Sequence, residues 1–179
     1  MHILLIDNND SFTRNLEHLL ATTSQAQIVV EPYARLADGS LALHADLLVL
    51  SPGPGRPTDY PAHARALDSG LPVLGICLGM QALNEHFGGT TRRLPGCIHG
   101  KTEKIELGGK TLEVARYHSL FCASLGPDLD LLAVNRDRVP MALRHRTRPL
   151  LGYQFHPESF LTQDGGYYVA YALHALGLA

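Results

Sequence analysis

Short apolar runs, each the length of a single strand, alternate with helical patterns through the first half of this chain; Leu47 to Leu50 and Val73 to Ile76 are two of them. None is long enough to span a bilayer, which takes roughly 20 apolar residues. His2 to Ile6 reads as a strand ending at Asp7, and Asp10 or Ser11 can cap a helix through Asn15 to Leu20. Gln27 to Tyr33 and Asp46 to Leu50 are the next strands. A helix opens after Pro61, and Val73 to Ile76 leads into a helix from Leu78 to Phe87 that Gly88 and Gly89 stop. This alternation implies a parallel sheet with helices on both faces, with sites gathered at the carboxyl ends of the strands. Asn8, Ser51, Cys77 and His156 all fall there.

The second half changes rhythm. From Thr90 to Asn135 short strands alternate, with Gly108-Gly109 as a hairpin turn between Lys104–Leu107 and Thr111–Val114. Met141 to His145 and Leu151 to Phe155 pair around Pro149, and Tyr167 to Leu176 closes the chain as a helix. The expected fold is α/β: a three-layer sandwich with a mostly parallel central sheet, helices on both faces and a small antiparallel extension. A chain of 179 residues is expected to form one domain, 1–179.

Where strand gives way to helix, Leu71-Pro-Val-Leu-Gly-Ile-Cys77-Leu-Gly-Met-Gln81 sets a thiol between two glycines. That is the layout of a nucleophile elbow, in which flanking glycines remove the Cβ atoms that would clash in a strained turn. A cysteine at a helix N-terminus also feels the positive end of the peptide dipoles, which favours thiolate. Near the C-terminus, Leu151-Gly-Tyr-Gln-Phe-His156-Pro-Glu158-Ser runs a strand into an imidazole and a carboxylate. Residues two apart on an extended chain share a side, and Pro157 keeps His156 extended. Cys77 as nucleophile, His156 as proton shuttle and Glu158 as the group that orients the ring make a catalytic triad. A third element, Ser51-Pro-Gly53-Pro54-Gly55, ends an apolar strand in a stiff loop suited to donating backbone N–H groups to an oxyanion. The amide of Leu78, next to the nucleophile, is the second such donor.

Composition excludes other classes. A formal net charge of −2 offers no basic surface for nucleic acid or anionic membrane. Met1-His-Ile-Leu-Leu-Ile-Asp7 meets an acidic residue before a secretory apolar region can form, so a cytoplasmic location is expected. Three cysteines, Cys77, Cys97 and Cys122, show no metal spacing, and the ten histidines are scattered singly. No metal or cofactor is expected. Cys97 and Cys122 read as small, partly buried thiols.

Together with Asp7-Asn-Asn-Asp-Ser-Phe-Thr13, His99-Gly-Lys-Thr102 and Arg116-Tyr-His-Ser-Leu120, these segments resemble the class I glutamine amidotransferases. More narrowly, they resemble the glutaminase subunits (component II) of aminodeoxychorismate synthase and anthranilate synthase. The resemblance implies that Cys77 attacks the side-chain amide of L-glutamine and releases ammonia through a thioester. The ammonia then passes to a partner that aminates chorismate: component I of aminodeoxychorismate synthase, slightly favoured, or of anthranilate synthase. It also implies that Gly53, Pro54 and Gly55 line the glutamine site, that Gly55 and Leu78 form the oxyanion hole, and that Gln81, His118 and Ser119 contact substrate. The loop holding His99, Gly100 and Lys101 lies, by the same resemblance, near the partner interface.

Each assignment has a plainer alternative. Gly53 and Gly55 can simply shape a turn, Ser119 can be a turn hydroxyl and His118 can serve through its backbone. Asp7, Asn8 and Asp10 read as a polar loop and helix cap supporting the oxyanion loop. Lys101 is by default a solvated charge. The chain departs from the family at Asn9 (usually tyrosine), Met80 (often histidine) and Glu103 (commonly serine). None touches the triad, and Glu103 could pair with Lys101 and alter what the loop offers a partner. A catalytically weak subunit that binds and regulates its partner is one alternative function, and a free-standing γ-glutamyl cysteine hydrolase is another.

Overall fold

The computed structural model describes residues 1–94 and 100–179. Its elements follow in the order β1 (His2–Asp7), α1 (Thr13–Ser24), β2 (Gln27–Pro32), α2 (Tyr33–Ala37), β3 (Leu47–Leu50), α3 (His63–Leu67), β4 (Val73–Ile76) and α4 (Leu78–His86). Then come β5 (Thr90–Arg93), β6 (Lys101–Leu107), β7 (Lys110–Arg116), β8 (Leu120–Ser124), β9 (Leu129–Val134), β10 (Pro140–His145), β11 (Leu150–Tyr153) and α5 (Gly165–Ala175).

Seven strands form the central sheet in the order β2-β1-β3-β4-β11-β10-β9. Strands β2 through β11 of that order run parallel, and β10 and β9 add on antiparallel. The period of two explains the apolar runs. Ile3, Leu5, Leu47, Val49, Leu74 and Ile76 face one core, with Leu16 and Leu20 of α1 and Val169 and Ala172 of α5. Leu4, Ile6, Leu48, Leu50 and Val73 face the other, with Leu36 of α2, Leu67 of α3, and Met80 and Leu83 of α4. A strand buried on both faces must be apolar at every position, which is why these segments show no polar alternation. The three layers and the mostly parallel sheet are as expected.

Several boundaries differ, each for a local reason. Tyr33 opens α2 instead of ending the strand. Helix α1 starts at Thr13 after Phe12, with no side-chain cap on its first turn; Asp10 instead accepts from the Phe12 amide at 2.8 Å, and Asp7 Oδ1 takes the Thr13 hydroxyl at 2.7 Å. Helix α5 begins two residues early, because Asp164 caps it by accepting from Tyr167 N at 3.2 Å. The hairpin turning at Gly108-Gly109 is a separate two-stranded sheet, β6-β7, as is β5-β8. The antiparallel extension of the main sheet is therefore made by β10 and β9. Among the described residues no helix is long and apolar enough to cross a membrane.

Candidate active site

The order of the sheet brings the carboxyl ends of β1, β3, β4 and β11 side by side, and the candidate residues sit on the turns that leave them. Cys77 occupies the turn between β4 and α4 at φ 52°, ψ −98°, left-handed backbone that a non-glycine residue adopts only when its surroundings impose it. The imposition is visible. A Cβ on Gly75 would lie 2.5 Å from the Gly79 carbonyl, and one on Gly79 would lie 2.5 Å from the Leu50 carbonyl oxygen. The two glycines let α4 press against β3 and β4, and the Cys77 amide donates to Tyr153 O of β11 at 2.6 Å.

From β11 the chain bends at Gln154 and Phe155 and reaches His156, whose amide bonds Ala115 O of β7 at 3.2 Å. The ring is 3 % exposed. Its Nδ1 donates to Glu158 Oε1 at 2.6 Å, which fixes the tautomer with Nε2 outside that pair. Burial alone disfavours the imidazolium; the hydrogen bonds and charges of Cys77 and Glu158 outweigh it and hold His156 well above its ordinary value. Phe12 and Tyr117 meet the ring edge-on, with centroids 5.7 and 5.2 Å away. Glu158 Oε2 is buried without a hydrogen-bond partner among the described residues. Nothing there competes with the imidazole for this carboxylate.

A cavity of about 210 Å³ opens over Cys77. Its walls are Gly53, Pro54 and Gly55, Leu78 and Gln81, and Tyr117, His118, Ser119 and Leu120. Every residue expected to contact substrate lines it. Gly53 is required there: a Cβ would stand 2.7 Å from Asn8 Cβ and 2.8 Å from Leu78 Cδ2.

Two buried histidines brace this cavity. Asn8 Nδ2 donates to Ser51 O at 2.7 Å, and its backbone N–H donates to Ser51 Oγ at 2.9 Å. That orientation turns Asn8 Oδ1 toward His63, whose Nε2 lies 2.9 Å away and must therefore carry the proton. Asn8 thus supports the loop that Ser51 opens, and His63, which sequence reasoning missed, holds Asn8. His118 donates from Nδ1 to Leu120 O at 2.7 Å and accepts from Arg116 Nε at 3.1 Å. Its side chain is committed to the protein, which leaves backbone groups to face the cavity.

Burial lowers His63 to about 4, and burial together with the Arg116 charge lowers His118 to about 4, from 6.5. As pH falls the unfolded chain takes up these protons first. The stability the two neutral rings contribute is thus intact above about pH 6.5 and lost as pH drops through about 4, on the order of 3 kcal/mol for each. His156 works in the opposite sense, since its raised value favours the folded state at low pH and fades as pH rises. Urea unfolding is expected to give a lower free energy at pH 5 than at pH 7, and His63→Gln, which keeps a donor for Asn8, to reduce the drop.

Other expectations meet different outcomes. Glu103 does not pair with Lys101. It binds Arg116, accepts from Asn135 Nδ2 at 2.8 Å and lies 3.6 Å from Arg136 Nε. The reason is burial: the Arg116 side chain is 3 % exposed and needs a carboxylate, whereas Lys101 is exposed and solvated. Gly100 and Lys101 stand at the open end of the β6-β7 hairpin, where Lys101 opposes Arg116, while His99 and Cys97 lie outside the described residues. Cys122 is fully buried and its thiol is pushed up by burial. Met80 is a core residue packed beneath Gly152, and Asn9 takes a left-handed φ of 62° that suits asparagine. Gln154 was also missed: wholly buried, it places Nε2 3.5 Å from Cys77 Sγ. The extended run expected through Pro157 is replaced by a turn, closed by Ser159 N on His156 O at 3.2 Å, so Glu158 reaches the ring from a turn and no period of two announced Gln154.

Comparison with known proteins agrees with this architecture. The family model for glutamine amidotransferase class-I matches residues 4–176. The chain is 44 % identical over 179 residues to an aminodeoxychorismate synthase of Streptomyces griseus, covering 92 % of this chain but only 25 % of that protein. It is 39 % identical over 186 residues to anthranilate synthase component 2 of Halobacterium salinarum, covering 92 % and 93 % of the two chains. A crystal structure from Thermoplasma acidophilum, described as that of a GMP synthase component, superposes with a TM-score of 0.85 at 24 % identity over 99 % of this chain and 94 % of that one. This chain belongs to the class I glutamine amidotransferase family.

Proposed function

We propose that the chain is the glutaminase component of a chorismate-aminating synthase, with Cys77, His156 and Glu158 as its triad. Glutamine enters the cavity with its carboxamide over Cys77. The thiolate attacks the amide carbon, and the oxygen, now anionic, accepts from the Gly55 and Leu78 amides. His156 gives its proton to the departing nitrogen, which leaves as ammonia and yields a γ-glutamyl thioester. His156 then takes a proton from water; the hydroxide displaces sulfur, and glutamate leaves with the thiolate restored. Glu158 holds the ring in the tautomer both steps need. No metal or cofactor enters the cycle.

One observation supports this reading above the rest: a single cavity is walled by the thiol at the elbow and by all the substrate contacts the sequence nominates, with the 2.6 Å His156–Glu158 pair behind it. The ammonia goes to component I of the synthase, which docks at the open end of the β6-β7 hairpin carrying Gly100 and Lys101. Relatives carry both aminodeoxychorismate and anthranilate names, and aminodeoxychorismate is the product to assay first.

Ammonia release from glutamine, measured with and without each component I, is the test. Strong stimulation by one of them is the expected result. No turnover under either condition would make the chain a regulatory scaffold. Full turnover alone, unchanged by either partner, would make it a free-standing hydrolase.

A further inference from the structure

Gln154 carries a role that the triad leaves unfilled. Its backbone is pinned between two strands, donating from N to Met141 O of β10 at 2.9 Å. Its side-chain orientation follows from partners of fixed polarity. The Leu120 carbonyl can only accept, so the Gln81 amide presents Nε2 to it, at 3.1 Å. The same Gln81 nitrogen meets the Gln154 side chain at 3.1 Å, so Gln154 must offer its oxygen there. Its own NH₂ is thereby turned to Cys77 Sγ, 3.5 Å away. The sulfur accordingly receives an N–H from Gln154, beside the His156 ring whose pKa the Cys77 charge helps raise.

We infer that Gln154 is a catalytic residue of the reaction proposed above: a non-titrating donor that stabilises the Cys77 thiolate independently of His156. The inference rests on Cys77 being the nucleophile. Such a donor acts at the two ends of the cycle, before attack and after hydrolysis, when the sulfur is a buried thiolate and a second N–H shares its charge with the imidazolium. An amide keeps both hydrogens at every working pH, and here it is locked by Gln81 and the Leu120 carbonyl, so it does not reorganise as charge moves on and off the sulfur. Its burial excludes the water that would otherwise screen or replace it.

The test is the rate at which iodoacetamide alkylates Cys77 as a function of pH, read by mass on the Cys77 peptide in the full chain. Gln154→Met, of similar volume but without donors, is expected to slow alkylation about tenfold relative to the parent at neutral pH. Gln154→Glu, nearly isosteric, sets a carboxylate against the sulfur and is expected to slow it further, and it supplies the answer if the methionine variant fails to fold. A profile that superimposes on the parent's in a folded variant overturns the inference while leaving the triad standing. A parent in which iodoacetamide fails to alkylate Cys77 overturns the nucleophile reading, and this inference with it.

Discussion

Cys77→Ala is expected to abolish synthesis from glutamine while leaving synthesis from added ammonium salt at the parent rate, when the chain is assayed with its chorismate-using partner. The size of the effect follows from the chemistry. Without sulfur there is no thioester, and water attacking directly must do so without the group that splits one hard step into two easier ones. Losses on the order of 10⁴- to 10⁶-fold in kcat accompany removal of a triad nucleophile or its base. The fold has little reason to object. Cys77 is only 9 % exposed, but alanine deletes a single sulfur beside an open cavity, and the close packing that Gly75 and Gly79 allow at this turn remains. Cys77→Ser keeps a hydroxyl that His156 can hydrogen-bond yet is a far weaker nucleophile, and it should be nearly as inactive. Loss of the ammonium-dependent reaction as well would show that the substitution acts on the partner or on assembly, and the division of labour proposed for the two subunits would be wrong.

That the thiol and imidazole meet at all is a matter of sheet order, which no local pattern encodes. Strands β4 and β11 are neighbours although Cys77 and His156 are 156 − 77 = 79 positions apart. Their apolar runs and flanking glycines made each turn legible separately, because a strand buried on both faces and a strained elbow each restrict residue choice strongly. Features set by distant partners were less legible. Asn8 beside the Ser51 loop followed from the shared strand ends, but His63, 55 positions from Asn8, carried no signal. The separation of the β6-β7 hairpin from the main sheet is of the same kind: alternation predicts strands and a turn, but which edge a hairpin joins depends on the rest of the chain. Helix α2, of five residues, is too short to show a period.

Glu103 is the departure from the family with the largest expected energetic consequence. Glu103→Ala is expected to lower the unfolding free energy by about 3–5 kcal/mol, because it strands the Arg116 guanidinium in the interior. The geometry leaves Arg116 few substitutes. Its Nε is already given to His118 at 3.1 Å, its Nη2 is buried without a partner among the described residues, and only Nη1 reaches the Glu103 carboxylate. In the β6-β7 register Glu103 opposes Val114, so Arg116 is its diagonal neighbour two positions along, within reach of a long side chain. Glu103→Gln keeps the shape and one acceptor oxygen and should cost less. Pairing Glu103→Leu with Arg116→Met should recover most of the loss, since removing both charges removes the uncompensated one; urea unfolding of the two single variants and the double one measures this coupling. The damage should also reach the glutamine site, because Arg116 fixes His118 and His118 shares the Leu120 carbonyl with Gln81. A raised KM for glutamine with Cys77 alkylation unchanged is the expected kinetic signature of Glu103→Gln. Should Glu103→Ala instead unfold within about 0.5 kcal/mol of the parent, as an ordinary surface substitution does, the carboxylate is not compensating Arg116 in solution, and the hairpin has no energetic connection to the glutamine cavity through this pair.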